Sequence, residues 1–185
     1  VSLRPKDTFN TQPIWNNQDL TLYHGTTFTA ANAITAGKID VEISSSNKDF
    51  GRGFYTTCVR RQAESWAKIV VGRRKERGLP YEVPTLAVIV IPRAVLSDLR
   101  TLSFTLAGAD QEDFWSFVRH NRRLNPNHLL PQGDSYSSYD VVYGPLVLDW
   151  EYRRVYPSGD QVSFHTVRSQ SLLNNDTKRS IIEVE

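Results

Sequence analysis

Apolar and polar positions along the chain mark out short strands interleaved with amphipathic helices. In LTLYHGT, residues 20–26, apolar and polar positions alternate and the run breaks at Gly25, which predicts a short strand ending in a turn. Thr29 opens a small helix through Ala36, closed by Gly37 at the C-terminal cap. After a polar loop, SSSNKD, the run GFYTT at 53–57 is β-prone. The stretch from Arg61 to Lys75 then carries Ala63, Trp66, Ala67 and Val70 at helical spacing. TLAVIVI at 85–91 is the most continuously apolar segment; it predicts a buried central strand, ended by Pro92.

The second half continues in the same way. From Asp110 to Arg122, Phe114, Trp115, Phe117 and Val118 fall on one helical flank, and 124–138 is rich in Asn, Pro, Gly and Ser and reads as a loop. DVVYGPLVL at 140–148 predicts a strand interrupted at Gly144 and Pro145, and QVSFHTV at 161–167 alternates again. A short helix over Ser169–Asn174 and a strand over Ser180–Val184 complete the pattern. The strands lack the regular βα alternation of a doubly wound parallel sheet, so the expected class is α+β. Residues 1–18, with Pro5, Pro13 and several Asn and Gln, form an N-terminal arm, and 19–185 form one domain.

Composition narrows the function classes. With 39% hydrophobic and 23% charged residues this is an ordinary folded chain. No apolar run approaches the ~18 residues needed to span a bilayer, and VSLRPKDTFN lacks the apolar core of a signal peptide, so a soluble domain with no membrane partner is expected. A chain that begins with Val1 and contains no Met reads as a module of a longer protein. The lone Cys58 excludes an internal disulfide. A net charge of +2 is too slight to imply nucleic-acid binding, and the basic runs at 73–77 and 119–123 read as solvated helix ends. Walker A, HExxH and GxSxG motifs are absent and the four His are scattered, which argues against metal catalysis. Gly51-Arg52-Gly53 leads into a strand instead of opening a helix, which argues against a dinucleotide fold.

What remains is LYHGT at 22–26 and DFGRGFYTT at 49–57, followed by AESWA at 63–67. This arrangement resembles the histidine-tyrosine branch of the ADP-ribosyltransferase superfamily, which includes diphtheria toxin and the poly(ADP-ribose) polymerases, and within it a small bacterial family. The polymerases carry a His-Gly pair at the end of a first strand, a Gly-Lys-Gly-Ile-Tyr-Phe segment, and a second aromatic eleven positions after the motif tyrosine. Here these read His24-Gly25, Gly51-Arg52-Gly53-Phe54-Tyr55-Thr56 and Trp66. The likeness extends through YDVVYGP and DQVSFHT, over residues 20–173. It implies a compact fold with a split β-sheet core and flanking helices, and NAD as substrate.

The resemblance assigns His24 to a ribose hydroxyl and the Gly25 backbone to the nicotinamide carboxamide, with Thr26, Arg52 and Gly53 in the same NAD-binding set. Tyr55 and Trp66 would sandwich the nicotinamide, each stacking or cation-π contact contributing on the order of 1 kcal/mol. Arg52, with Lys48, is the nearest candidate for the pyrophosphate. At the third position, where the polymerases have Glu, this chain has Gln161, which bonds a hydroxyl but carries no charge. Asp160 and then Glu151 are the fallback carboxylates. Taken singly, His24, Tyr55 and Trp66 also fit ordinary core roles, and Asp49 fits a cap or turn.

The implied activity is mono-ADP-ribosylation of a protein or nucleic acid by a toxin or effector module of a larger bacterial protein. Such a module would be delivered into a target cell and met by a cognate immunity or inhibitor protein, with loop 124–138 facing the acceptor. Two alternatives stay open: a non-catalytic NAD or ADP-ribose binding module, and a metal-independent ribonuclease using His24 and His165 as an acid-base pair.

Overall fold

The computed structural model describes residues 18–44, 47–104, 112–123 and 139–185; the N-terminal arm before residue 18 and the loop 124–138 lie outside them. In chain order the elements are β1 (Leu20–Thr27), α1 (Phe28–Thr35), β2 (Phe54–Thr56), α2 (Arg60–Glu76), β3 (Pro84–Ile91), α3 (Arg93–Leu96), β4 (Thr101–Ser103), α4 (Glu112–Arg123), β5 (Val141–Asp149), β6 (Arg154–Phe164), α5 (Val167–Asn175) and β7 (Lys178–Glu183). The class is α+β, as the pattern predicts. Three antiparallel strands form one sheet in the order β1-β3-β7, and four form a second in the order β2-β6-β5-β4, where only β4 runs parallel to its neighbour.

The differences from the predicted boundaries have local causes. The first helix begins at Phe28 because the Oγ1 of Thr27 accepts the Ala30 N–H, so Thr27 is the cap in place of Thr29. Strand β6 starts seven residues before Gln161, since its first half pairs with β5 across two register shifts near Pro145 and Val147. It stops at Phe164 because Thr166 and Ser169 form a reciprocal capping box that opens α5. α3 and β4 are too short to leave a periodic signature.

Alternation along the strands sorts the side chains into layers. Leu22, Ala87, Ile89 and Ile91 of the first sheet meet Phe54, Val141, Val162 and Phe164 of the second in the largest core, with Ile34 of α1 and Leu172 and Leu173 of α5. The outer face of the first sheet, Tyr23, Leu86 and Val88, packs on Ala63 and Ala67 of α2. The outer face of the second sheet, with Tyr55 and Val142, packs on Phe114, Phe117 and Val118 of α4 and on Phe50.

Among the described residues, one backbone bridge joins the two sheets. Tyr23 and Thr57 exchange both backbone hydrogen bonds, at 2.8 and 3.0 Å, as an antiparallel bridge. Beyond it β1 and β2 part. Directly opposed residues of an antiparallel pair point the same way. The α2 side of β1 and the Tyr55 side of β2 are therefore one continuous outer surface, and the shared core is the inner one.

Helix α2 reaches the seam because Gly25 has no side chain. A Cβ there would run into the carbonyl of Ala63 and approach the Ala67 nitrogen at 2.9 Å, both backbone atoms that cannot swing aside. Gly25→Ala is expected to destabilise the fold by about 1–3 kcal/mol through overpacking. Gly72→Ala, on α2 with nothing within 4 Å of the added methyl, should stabilise it by about 0.5–1 kcal/mol. Urea titrations of the two variants therefore shift in opposite directions, and two shifts of one sign would contradict the packing of α2 on β1.

Candidate functional site

Of the predicted residues, His24, Gly25, Tyr55 and Gln161 lie on the strands that border the gap past the Tyr23–Thr57 bridge. Because Tyr23 turns both backbone groups toward Thr57, the alternation of antiparallel pairing makes His24 bond β3 and directs the N–H and C=O of Gly25 away from β3, into the gap. The same count places Tyr55 across the gap from Gly25. Tyr55 in turn lies opposite Ser163 on β6, so Gln161 is its diagonal neighbour on the same outer face.

His24 approaches from the inner side. Its ring stacks on Phe54 at 4.7 Å between centroids, and its Nδ1 lies 2.6 Å from the Tyr55 carbonyl oxygen. A carbonyl only accepts, so Nδ1 carries the proton and Nε2 is the free position of the neutral ring. Burial holds the His24 pKa below 6.5; the hydrogen bond to Tyr55 acts the other way, and the charge of Lys48 lowers it further. Near neutral pH Nε2 of the ring is therefore an acceptor.

Tyr55 is pinned at both ends. Its hydroxyl donates to the Gly51 carbonyl at 2.7 Å and accepts the Phe50 N–H at 3.0 Å, and its ring meets Phe50 and His165. Burial, and then the charge of Asp49, raise its pKa well above 10.0, so it stays a neutral phenol. The 51–53 loop is held from behind: His165 donates through Nδ1 to the Arg52 carbonyl at 2.6 Å, and its Nε2 accepts the Ser163 hydroxyl at 2.7 Å. A Cβ on Gly53 would press on Phe164 O and His165 Nδ1, which accounts for that glycine. His24 and His165 thus lie on opposite faces of the sheet, each holding a backbone carbonyl of the 52–55 segment.

The remaining predicted residues have varied surroundings. Trp66 projects from α2 with 44% of its surface exposed, and its ring is covered by the Arg73 guanidinium at 5.3 Å; Tyr55 and Trp66 make no ring pair with each other. Thr26 is buried on β1. Arg52 pairs at the surface with Glu42 at 3.2 Å. Gln161 is 5% exposed, and its Nε2 donates to Asp49 Oδ2 at 2.9 Å and to Pro145 O at 3.1 Å. Asp49 also receives Arg122 Nε and Nη2 on Oδ1, at 2.8 and 2.6 Å. Asp49 is thus a buried member of the site, where a cap or turn reading also fitted the sequence. Arg122 is its partner instead of a solvated helix end. Seventy-three residues separate the two, so no local pattern could announce the pair.

The fallback carboxylates lie elsewhere. Asp160 accepts from the Thr57 hydroxyl and the Cys58 N–H, while Gln62 of α2 clamps its backbone at 2.7 and 3.1 Å. Burial, with the charge and hydrogen bond of Asp160, pushes the Cys58 thiol up to about 12, which disfavours its thiolate. Glu151 is exposed in the turn between β5 and β6. A groove of about 420 Å³ between α3 and α5, lined by Leu99, Arg168 and Asp176 among others, contains none of the predicted residues. Among the described residues no group of three or more His, Cys, Asp or Glu could hold a metal ion, and no helix is long and apolar enough to cross a membrane.

The family DUF3990, described as "Protein of unknown function", matches residues 20–155. No curated protein matches the chain.

A depressed imidazole pKa has a defined sign in stability. The unfolded chain protonates near pH 6.5 while folded His24 resists, so this contribution is present above pH 6.5 and is lost as pH falls below it. Between pH 7.5 and 5.5 the urea midpoint of the wild type should fall more than that of His24→Gln, which cannot titrate. Equal slopes would show that His24 is not held neutral.

Proposed function

The chain belongs to the DUF3990 family, and from the seam between its two sheets we propose that it is a mono-ADP-ribosyltransferase that cleaves the nicotinamide-ribose bond of NAD. One observation supports this reading above the others. Three segments far apart in sequence, 22–26, 51–57 and 160–166, meet where β1 and β2 part, with the Gly25 backbone directed at the gap and Tyr55 and Gln161 side by side on its outer face. The order of these segments resembles that of the histidine-tyrosine transferases, with Gln161 at the position of their glutamate.

Each group has a chemical task in this proposal. The Gly25 N–H and C=O pair with the nicotinamide carboxamide, a two-point match for a primary amide. The Tyr55 and Trp66 rings flank the nicotinamide, with NAD filling the space between two aromatics that do not touch in its absence. His24 Nε2 accepts a ribose hydroxyl. The carbon-nitrogen bond breaks with its electron pair passing to nicotinamide, C1′ becomes oxocarbenium-like, and Gln161 bonds the adjacent hydroxyl. A nucleophilic atom of a protein or nucleic-acid acceptor then attacks C1′ and loses its proton. Arg52 would exchange Glu42 for the pyrophosphate. Action as a toxin or effector module, with a cognate inhibitor protein, belongs to the same proposal.

A second reading, an NAD or ADP-ribose binding module without turnover, is favoured by one feature: Asp160, the only carboxylate on β6, is already engaged by the Thr57 hydroxyl and the Cys58 N–H. NAD labelled in the nicotinamide and, separately, in the adenine distinguishes the two in a cell extract. Release of the first label and transfer of the second to a macromolecule are the expected results, and binding without release selects the module. Trp66→Ala, at an exposed position, should raise the KM for NAD by about 3- to 30-fold, from the loss of one stacking and cation-π contact. Neither binding by calorimetry nor release by the wild type would overturn both readings.

A further inference from the structure

Gln161 is not free to choose how it meets a ligand. Both hydrogens of its carboxamide are engaged, by the Asp49 carboxylate and by the Pro145 carbonyl, and both partners are pure acceptors. The amide therefore has one orientation, with Nε2 toward Asp49 and Oε1 on the other branch, where neither of these two hydrogen bonds engages it. Asp49 is itself held on both oxygens. It is 6% exposed, and two guanidinium nitrogens of Arg122 fix its other oxygen.

We propose that Asp49 is a positioning residue: anchored by Arg122, it holds Gln161 so that Oε1 is a fixed acceptor for a ligand hydroxyl beside Tyr55. The inference rests on the NAD reading above, in which that hydroxyl belongs to the nicotinamide ribose. A freely rotating glutamine can meet a hydroxyl as donor or acceptor. These choices are not equivalent when positive charge develops on the neighbouring carbon. A hydroxyl that donates to Oε1 gains electron density on its own oxygen and stabilises the cation, whereas one that accepts from an N–H loses it. The Asp49 charge behind the amide polarises it in the useful direction, drawing the N–H hydrogens toward itself and leaving Oε1 more negative. A carboxylate one residue removed from the ligand thus does part of what a glutamate does directly, and Arg122 keeps that charge paired while it is buried.

The arrangement predicts a reciprocal pattern of variants. Asp49→Asn removes the charge and lets the amide turn, and should lower kcat for nicotinamide release about 10-fold or more with KM changed less than about 3-fold. Gln161→Glu sets two carboxylates against each other at the 2.9 Å contact and should also lose about 10-fold. The double variant restores a hydrogen bond with donor and acceptor exchanged, and should return to within about 3-fold of the wild type. Losses that simply multiply in the double variant, or an Asp49→Asn rate within 3-fold of the wild type, would overturn the proposal.

A readout independent of turnover is the side-chain amide of Gln161 in ¹⁵N-labelled protein, assigned by its loss in Gln161→Glu. Its protons should exchange slowly with solvent in the wild type and at least 10-fold faster in Asp49→Asn. Wild-type protein inert toward NAD would count against the activity alone. The positioning of Gln161 would then be decided by the amide, and fast exchange in the wild type would overturn it.

Discussion

Everything at the candidate site depends on the two backbone hydrogen bonds exchanged by Tyr23 and Thr57. They join the first sheet to the second at a single residue pair, and the strands separate immediately afterwards. Had β1 and β2 remained paired, Tyr55 would have taken up the Gly25 backbone groups, as alternation in an antiparallel ladder requires. Parting leaves those groups facing a gap, and His24 spans part of it by bonding the Tyr55 carbonyl. One side chain thus links the two strands where their backbones part.

Two helices give the seam its walls. Gly25 lets α2 lie directly on β1, and Gln62, from the first turns of that helix, clamps the backbone of Asp160 beside Gln161. One rigid element thus spans both sheets. On the other side Phe50 and the aromatic face of α4 press against Tyr55, whose hydroxyl closes the 50–55 turn on itself. The inner face is mainly apolar, whereas the outer face collects Tyr55, Gln161, Asp49 and Arg122. A polar network survives there because its members satisfy one another.

That mutual satisfaction bears on why the residue at position 161 of β6 is neutral. A carboxylate at position 161 would sit within hydrogen-bonding distance of Asp49, and two buried like charges are costly. An amide instead bonds Asp49 and leaves an oxygen over. The negative charge of the site resides on the segment before β2, paired with a cation from α4.

The α+β class, the helices that became α2 and α4, the apolar strand β3 and the alternating end of β6 were legible in the sequence, because each depends on periodicity within a dozen residues. The types and spacing of His24, Gly25, Tyr55, Trp66 and Gln161 also survive in one dimension, and there they mark candidates only. Tertiary structure decided what no local pattern carries. It put His24 on the inner face and Tyr55 on the outer, covered Trp66 with Arg73, engaged Asp160 with Thr57 and Cys58, and brought Asp49 against Gln161 and Arg122. The physical reason is the same in each case: whether a polar side chain binds a ligand, caps a turn or pairs with another charge is settled by the partner it meets. Those partners arrive from strands and helices tens of residues away, once the core has closed.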